Sequence, residues 1–214
     1  MFVITGLSCI GCLALYQVSY HVLFPLLYNL TSQKNSKSED DSFQRRVNAQ
    51  KFVSFVHAVI STYGAISSVL PYHMGIYAYA NVLIHEEPYV ESAVHLRFVF
   101  LEFTLGYFMA DLFLYLQDVT RHSFMDIAHH VISIAAYLVG LMTENATGSF
   151  TMIAFQTNEI STPFYHLRFF MGLDQKLKQS TIYKLNEAVF ATLFFCARIV
   201  YNGLVLLATL YAST

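Results

Sequence analysis

The residues GYFMADLFLYLQ (106–117) and SFMDIAHH (123–130) decide how the rest of the chain is read. They belong to two apolar segments joined by a short polar gap. The first carries Asp111, and the second carries Asp126 and the pair His129-His130. A charged side chain at the centre of a membrane helix costs roughly 2.5–3.5 kcal/mol on insertion scales. Ionisable residues inside lipid-compatible sequence therefore point to a function that retains them.

Composition agrees with a membrane setting. The chain has 214 residues, of which 56% are hydrophobic and only 12% charged, and its mean hydropathy is +0.48. That is more apolar and far less charged than a soluble domain. The class read from the sequence is all-α and polytopic, with about six transmembrane helices of roughly 20 residues each and no room for a second, soluble domain. A formal net charge of −2 argues against nucleic acid as a partner. Cys9, Cys12 and Cys196 all sit in apolar runs, and the Cys9/Cys12 spacing has no second pair, so no metal site is expected from them.

The expected spans are 2–30, 51–70, 98–117, 123–142, 150–171 and 181–210. Residues 31–50 carry Lys34, Lys37, Arg45, Arg46 and the run Glu39-Asp40-Asp41, and read as a solvated loop. Pro71 is expected to end the second span. The stretch 71–97 is amphipathic and tyrosine-rich, and reads as interfacial, with a short helix over 75–84. Ser54, His57, Ser61 and Gly64 form a small and polar stripe at helical spacing, a pattern that marks helix contacts in membranes. Basic residues cluster on one side of the six-span layout, whereas the other side's loops offer only Arg97. The positive-inside rule then makes the basic side cytoplasmic and places both termini on the lumenal side. Asn29 and Asn145 match the glycosylation sequon but are expected to stay unmodified.

Counting inward from the cytoplasmic ends at about 1.5 Å per residue brings His57, Asp111, His129, His130, His166 and Asn186 to a common depth of roughly 9–10 Å. Six residues from five helices at one height read as one site. Glu159 and Arg198 lie deeper, as a floor or as separate structural pairs. Ser123 and Asp126 resemble a capping box that starts the fourth helix. Asp126, His129 and His130 are then neighbours at i, i+3 and i+4. Adjacent histidines point about 100° apart, so one is expected to face the cavity and the other a neighbouring helix. In the fifth span Pro163 removes a ladder bond and frees the carbonyl of Glu159, which predicts a kink with Glu159, Ser161 and Thr162 at the bend.

Gly106-Tyr107 with Asp111, then His129-His130, then Glu159-Ile160-Ser161-Thr162-Pro163-Phe164 with Arg168, and finally Phe194-Phe195 with Arg198, resemble the TLC domain family, which includes the ceramide synthases. The likeness runs from about Lys51 onward, and the Glu-Ile-Ser-Thr-Pro-Phe segment is similar to the small TLC domain-containing members. The division it implies is a first transmembrane helix and basic loop over 1–50, and a TLC core over 51–214, within one domain. It also implies a barrel of transmembrane helices around a lipid-accessible cavity, in the endoplasmic reticulum membrane. In ceramide synthases the paired histidines serve acyl transfer from acyl-CoA to a sphingoid amine. The chain lacks that branch's second, His-Asp cluster.

Three functions are expected to compete. The first is lipid or acyl-chain binding that adjusts membrane composition, with membrane lipids as partners and no cofactor. The second is an N-acyltransferase in which His129 or His130 acts as base or acyl acceptor, Asp111 orients it, and acyl-CoA and a sphingoid base are the substrates. His57, Tyr107, Asp126, Glu159, Ser161, Thr162, His166, Asn186 and Arg198 would line the cavity in either case. The third, a di-iron oxidase, needs several histidine clusters, of which only 126–130 approaches one.

Overall fold

The computed structural model describes residues 2–30, 39–69, 91–117, 124–142 and 146–212, and every regular element among them is helical. Helix α1 is a rod formed by Val3–Val18, a π turn over Ser19–Leu23 and Phe24–Leu30. It is followed by α2 (Glu39–Val69), α3 (Glu91–Leu116), α4 (Phe124–Met142) and α5 (Ala146–Gln156). A 3-10 turn over Thr157–Ser161 leads into α6 (Thr162–Gly172). Last comes α7, formed by Thr181–Phe194, a π turn over Phe195–Tyr201 and Asn202–Ala212. Four helical stretches are long and apolar enough to cross a bilayer: Val3–Leu27, His95–Leu116, Phe124–Met142 and Thr181–Tyr211. The protein is therefore a multi-pass integral membrane protein. The other two expected spans, in α2 and in the α5–α6 segment, are less apolar for a physical reason. Their polar side chains turn inward, as buried Gln50, Ser54, His57 and Ser61 do on α2.

Several boundaries differ from those read off the sequence. Residues 39–50 are not loop but the first turns of α2. The charges that suggested solvent sit among good helix formers, and acidic residues favour a helix's amino end. Residues 91–97 belong to α3, so Arg97 is not a loop residue. It is fully buried, with its guanidinium carbon 5.3 Å from the centre of the Phe150 ring. The irregularity expected near Pro163 takes the form of a 3-10 turn over Thr157–Ser161 between two α-helices. The carbonyl of Glu159 that proline would strand accepts instead from the Thr162 N–H, one residue closer. The expected stop at Pro71, the helix over 75–84, the cap at Ser123 and the sequon at Asn145 lie outside the described residues. Asp126 does fall in the first turn of α4, where a negative charge suits the helix dipole. Helix α7 starts where expected, at Thr181, because the Ser180 hydroxyl accepts from the Tyr183 N–H at 3.2 Å.

Helix α3 is the centre of the packing, with α1, α2, α4 and α5 against it. Its contact with α1 is fixed by three features. The Thr5 N–H, an unpaired donor in the first turn of α1, reaches the buried Glu102 carboxylate at 3.4 Å. The Ser8 hydroxyl donates to the Phe103 carbonyl at 2.7 Å. Gly106 lets the two backbones approach, since a Cβ there would run into the Thr5 carbonyl oxygen and lie 2.8 Å from the Ser8 Cβ. Gly64 meets the Phe100 ring in the same way, so the stripe on α2 is a helix contact as read.

Gly106→Ala should accordingly destabilise the protein by about 1–3 kcal/mol, the usual effect of overpacking. Gly203→Ala, where a Cβ meets nothing within 4 Å, should leave the melting temperature of the detergent-solubilised protein close to wild type. Equal melting of the two variants would refute the close α1–α3 contact.

Candidate functional site

Helices α2, α3, α4, the 157–172 segment and α7 enclose a cavity of about 290 Å³. Of the residues expected at the site, His57, Tyr107, Asp111, Asp126, His129, His130, Glu159, Ser161, Thr162, His166 and Arg198 all line it. Asn186 does not. It is buried against α6, where its amide donates to the Phe164 carbonyl at 2.9 Å, so its polarity serves helix contact.

Asp111, buried on α3, lies at the centre of the polar wall. Its Oδ1 accepts from the Gln50 amide at 2.8 Å. Its Oδ2 lies 2.7 Å from His130 Nε2 and 3.2 Å from the Tyr107 hydroxyl. The single proton of Tyr107 is shared between that oxygen and Ser54 Oγ, 2.9 Å away, whose own proton goes to the Gln50 carbonyl. His57 stacks flat on Tyr107 with centroids 3.7 Å apart, and its Nε2 is 2.8 Å from the Ser61 hydroxyl.

The two adjacent histidines differ in what their nitrogens face. His130 Nε2 meets the Asp111 carboxylate, and its Nδ1 meets the Asp126 carbonyl at 2.7 Å. With an acceptor at each nitrogen, the ring has no free lone pair to offer a ligand. His129 is exposed, touches Phe108 and His130 edge-to-face, and makes no hydrogen bond with a described residue. One of the pair turns to a neighbouring helix as expected, His130 to Asp111 on α3, but both line the cavity, His130 as a locked wall group and His129 as a free one.

On the opposite lip stand Phe190, Phe194 and Arg198. A spacing of four residues drifts by about 40° per step around an α-helix. The wider π turn over Phe195–Tyr201 intervenes, and Arg198 lines the same cavity as the two phenylalanines. Its Nη2 donates to Thr162 Oγ1 at 3.2 Å and its Nε to Ser161 Oγ at 3.4 Å, while Glu159 lies within its electrostatic reach. Helix α4 packs on α3 and α5, the amino-terminal part of α7 packs on α6 and the 3-10 turn, and the two share no extended contact. Exposed Asp126 and His129 on one side, and exposed Phe194 on the other, border that gap.

Sequence reading missed several lining or supporting groups. Gln50 continues the stripe Ser54, His57, Ser61 one turn toward the amino end, a signal hidden by assigning residue 50 to a loop. Lys51, Tyr115, Tyr165, Phe190 and Phe194 also line the cavity, and aromatic residues in an apolar helix carry no periodic signal that singles them out. No group of three or more metal-ligating side chains occurs among the described residues.

Residues 48–214 match the family model described as the TLC domain. The chain is also similar to a protein named TLC domain-containing protein 4 A from Dictyostelium discoideum, at 25% identity over 190 residues, covering 87% of this chain and 68% of that protein. No solved structure matches the chain.

Asp111→Ala would leave His130 and Gln50 buried without their acceptor. Breaking a buried pair on one side costs about 3–5 kcal/mol, so the melting temperature should fall sharply. The double replacement Asp111→Leu with His130→Leu should lose less than the sum of the single changes, and strict additivity would mean that the two side chains are not coupled.

Proposed function

Because the chain belongs to the TLC domain family, we propose that it binds a lipid or acyl chain in this intramembrane cavity and adjusts membrane lipid composition. The observation that carries the reading is a polar pocket lined by both α4 and α7, two helices that share no extended contact and whose outer faces expose Ile132, Val139, Leu185 and Phe195. In this reading the pocket opens sideways between them. A volume of about 290 Å³ sits at the lower edge of ligand pockets, roughly 300–1,000 Å³. The pocket suits the polar end of a lipid whose chain remains outside, and a sideways opening is how such a ligand enters without crossing water.

The same reading makes the architecture a barrel of about six transmembrane helices around the cavity, with α2 and the α5–α6 segment as its less apolar staves. Residues 51–214 form the core, and residues 1–50 supply an added helix, a basic connection and the first turns of α2. With Arg97 inside α3, basic residues of the connections fall on one side only. The charge rule then favours a cytoplasmic position for that side and lumenal termini, and the family resemblance implies the endoplasmic reticulum membrane.

A second reading has its own observation. Asp111 and His130 form a fixed wall beside His129, whose nitrogens face no described partner. In an N-acyltransferase this His129 would take the amine proton of a sphingoid base as the amide C–N bond forms and the thioester C–S bond of acyl-CoA breaks. Asp111 and His130 would position it.

Lipidomics of cells lacking the protein should reveal an altered membrane composition that wild type restores. The double replacement His129→Ala with His130→Ala should restore little of it. Full rescue by the double variant would remove the pair from function. Ceramide formed by purified protein from a long-chain acyl-CoA and a sphingoid base, and lost in His129→Ala, would select the second reading. Absence of product from wild type would reject it.

A further inference from the structure

His166 is only 3% exposed, and its Nδ1 is buried with no hydrogen-bond partner among the described residues. Neither the Asp111 network nor the Arg198 cluster includes it. A buried imidazole without a partner is costly and rare, and it calls for a group that completes it. Its surroundings define that group. Lys51, on the face of α2 that also carries Ser54 and His57, lines the cavity and acts electrostatically on His166. Its ammonium lies 5.7 Å from the centre of the Tyr165 ring. An ammonium has donors and no acceptor, and an imidazole N–H adds another. The acids nearby are committed elsewhere: Asp111 to Gln50, Tyr107 and His130, and Glu159 to the reach of Arg198. Asp126 also lines the cavity, but it is exposed and sits on α4, which makes no extended contact with α2 or α6. From this corner the rings of Tyr165, Phe190 and Phe194 follow one another at centroid spacings of 5.9 and 5.7 Å, leading to the gap between α4 and α7.

We infer that Lys51 and His166 form a subsite for the anionic oxygens of a single-chain amphiphile, carboxylate or phosphate, whose chain runs along Tyr165, Phe190 and Phe194 to the lateral gap. This rests on the cavity being a lipid site and adds the charge and shape of its ligand. The anion satisfies His166 and Lys51 together, and the row of rings covers the first part of the chain.

The test uses the full-length protein in phosphatidylcholine nanodiscs, with binding of hexadecanoate, hexadecyl phosphate and hexadecanol measured by ligand-induced thermal shift. The two anions should bind about tenfold or more tightly than the alcohol, the difference expected of hydrogen bonds to a charged group. Lys51→Gln and His166→Phe should bring them down to the level of the alcohol, whereas Lys51→Arg, which keeps the charge, should retain the preference. Acetate and inorganic phosphate should not compete. Melting of each variant without ligand establishes that it is folded. Equal binding of alcohol and anions by wild type, or an unchanged preference in Lys51→Gln and His166→Phe, would assign His166 to a bound water and overturn the subsite while leaving lipid binding intact. Binding of inorganic phosphate as tight as that of hexadecyl phosphate would overturn the amphiphile. Failure of all three long-chain ligands to bind would overturn the lipid cavity itself.

Discussion

A carboxylate in the interior of a membrane protein must be matched, and Asp111 is matched by side chains from three helices. Gln50 comes from α2, Tyr107 from its own helix α3, and His130 from α4. Each donor is available in one rotational setting of its helix only, because a shift of one residue turns a side chain by about 100°. The carboxylate therefore links the registers of α2, α3 and α4 to one another, and it does so at the cavity wall. Fold and site share these atoms. The loss of a polar group here removes a structural tie and a candidate functional group together, so activity alone does not separate the two roles.

Much of the site was legible because membrane sequences make ionisable residues conspicuous. His57, Asp111, His130 and His166 were singled out by the expense of placing them in lipid and by their distance from the helix ends, and the fold brings all four to one cavity. Asn186 met the same criteria and sits elsewhere, because depth fixes height but not azimuth, and its amide is turned toward α6. Arg97 and Gln50 were misread for another reason. Charge density suggests solvent, yet Arg97 lies against Phe150 and Gln50 against Asp111, each buried by partners far away in sequence. The close approach at Gly106 had no sequence signal, since it depends on α1 packing alongside α3 and supplying the Thr5 carbonyl as its neighbour.

The adjacent histidines illustrate how little identity alone decides. Successive residues on a helix point about 100° apart, which suggests one facing the cavity and the other a neighbouring helix. The gap between α4 and α7 makes a position that would otherwise face lipid part of the cavity's edge. His130 is thus held at both nitrogens, whereas His129 stands at the opening with neither engaged by a described residue. The pair that looks most like a catalytic dyad, Asp111 and His130, is the one with no lone pair to spare, whereas its neighbour His129 keeps both nitrogens clear of described partners.

Two of the three irregular stretches among the described residues, Thr157–Ser161 and Phe195–Tyr201, meet at the cavity. Irregular backbone at membrane depth persists where it is buried in protein or lines a cavity, because lipid offers no hydrogen bonds. The 3-10 turn over Thr157–Ser161 meets this condition with local bonds. Thr157 donates to the Ala154 carbonyl at 2.7 Å, Ser161 to the Asn158 carbonyl at 3.1 Å, and the Thr162 N–H to the Glu159 carbonyl. The π turn of α7 packs directly against it, and Arg198 from that turn reaches Ser161 and Thr162. Two helices thus depart from regular geometry at the same place and are tied to each other there. A regular α5–α6 helix would need the ladder bond that Pro163 cannot supply, whereas Phe190, Phe194 and Arg198, spaced four residues apart, line one face of α7. At this junction a basic side chain, Arg198, and two hydroxyl-bearing residues, Ser161 and Thr162, border the cavity, and the local bonds of the 3-10 turn keep its backbone groups from being stranded in lipid.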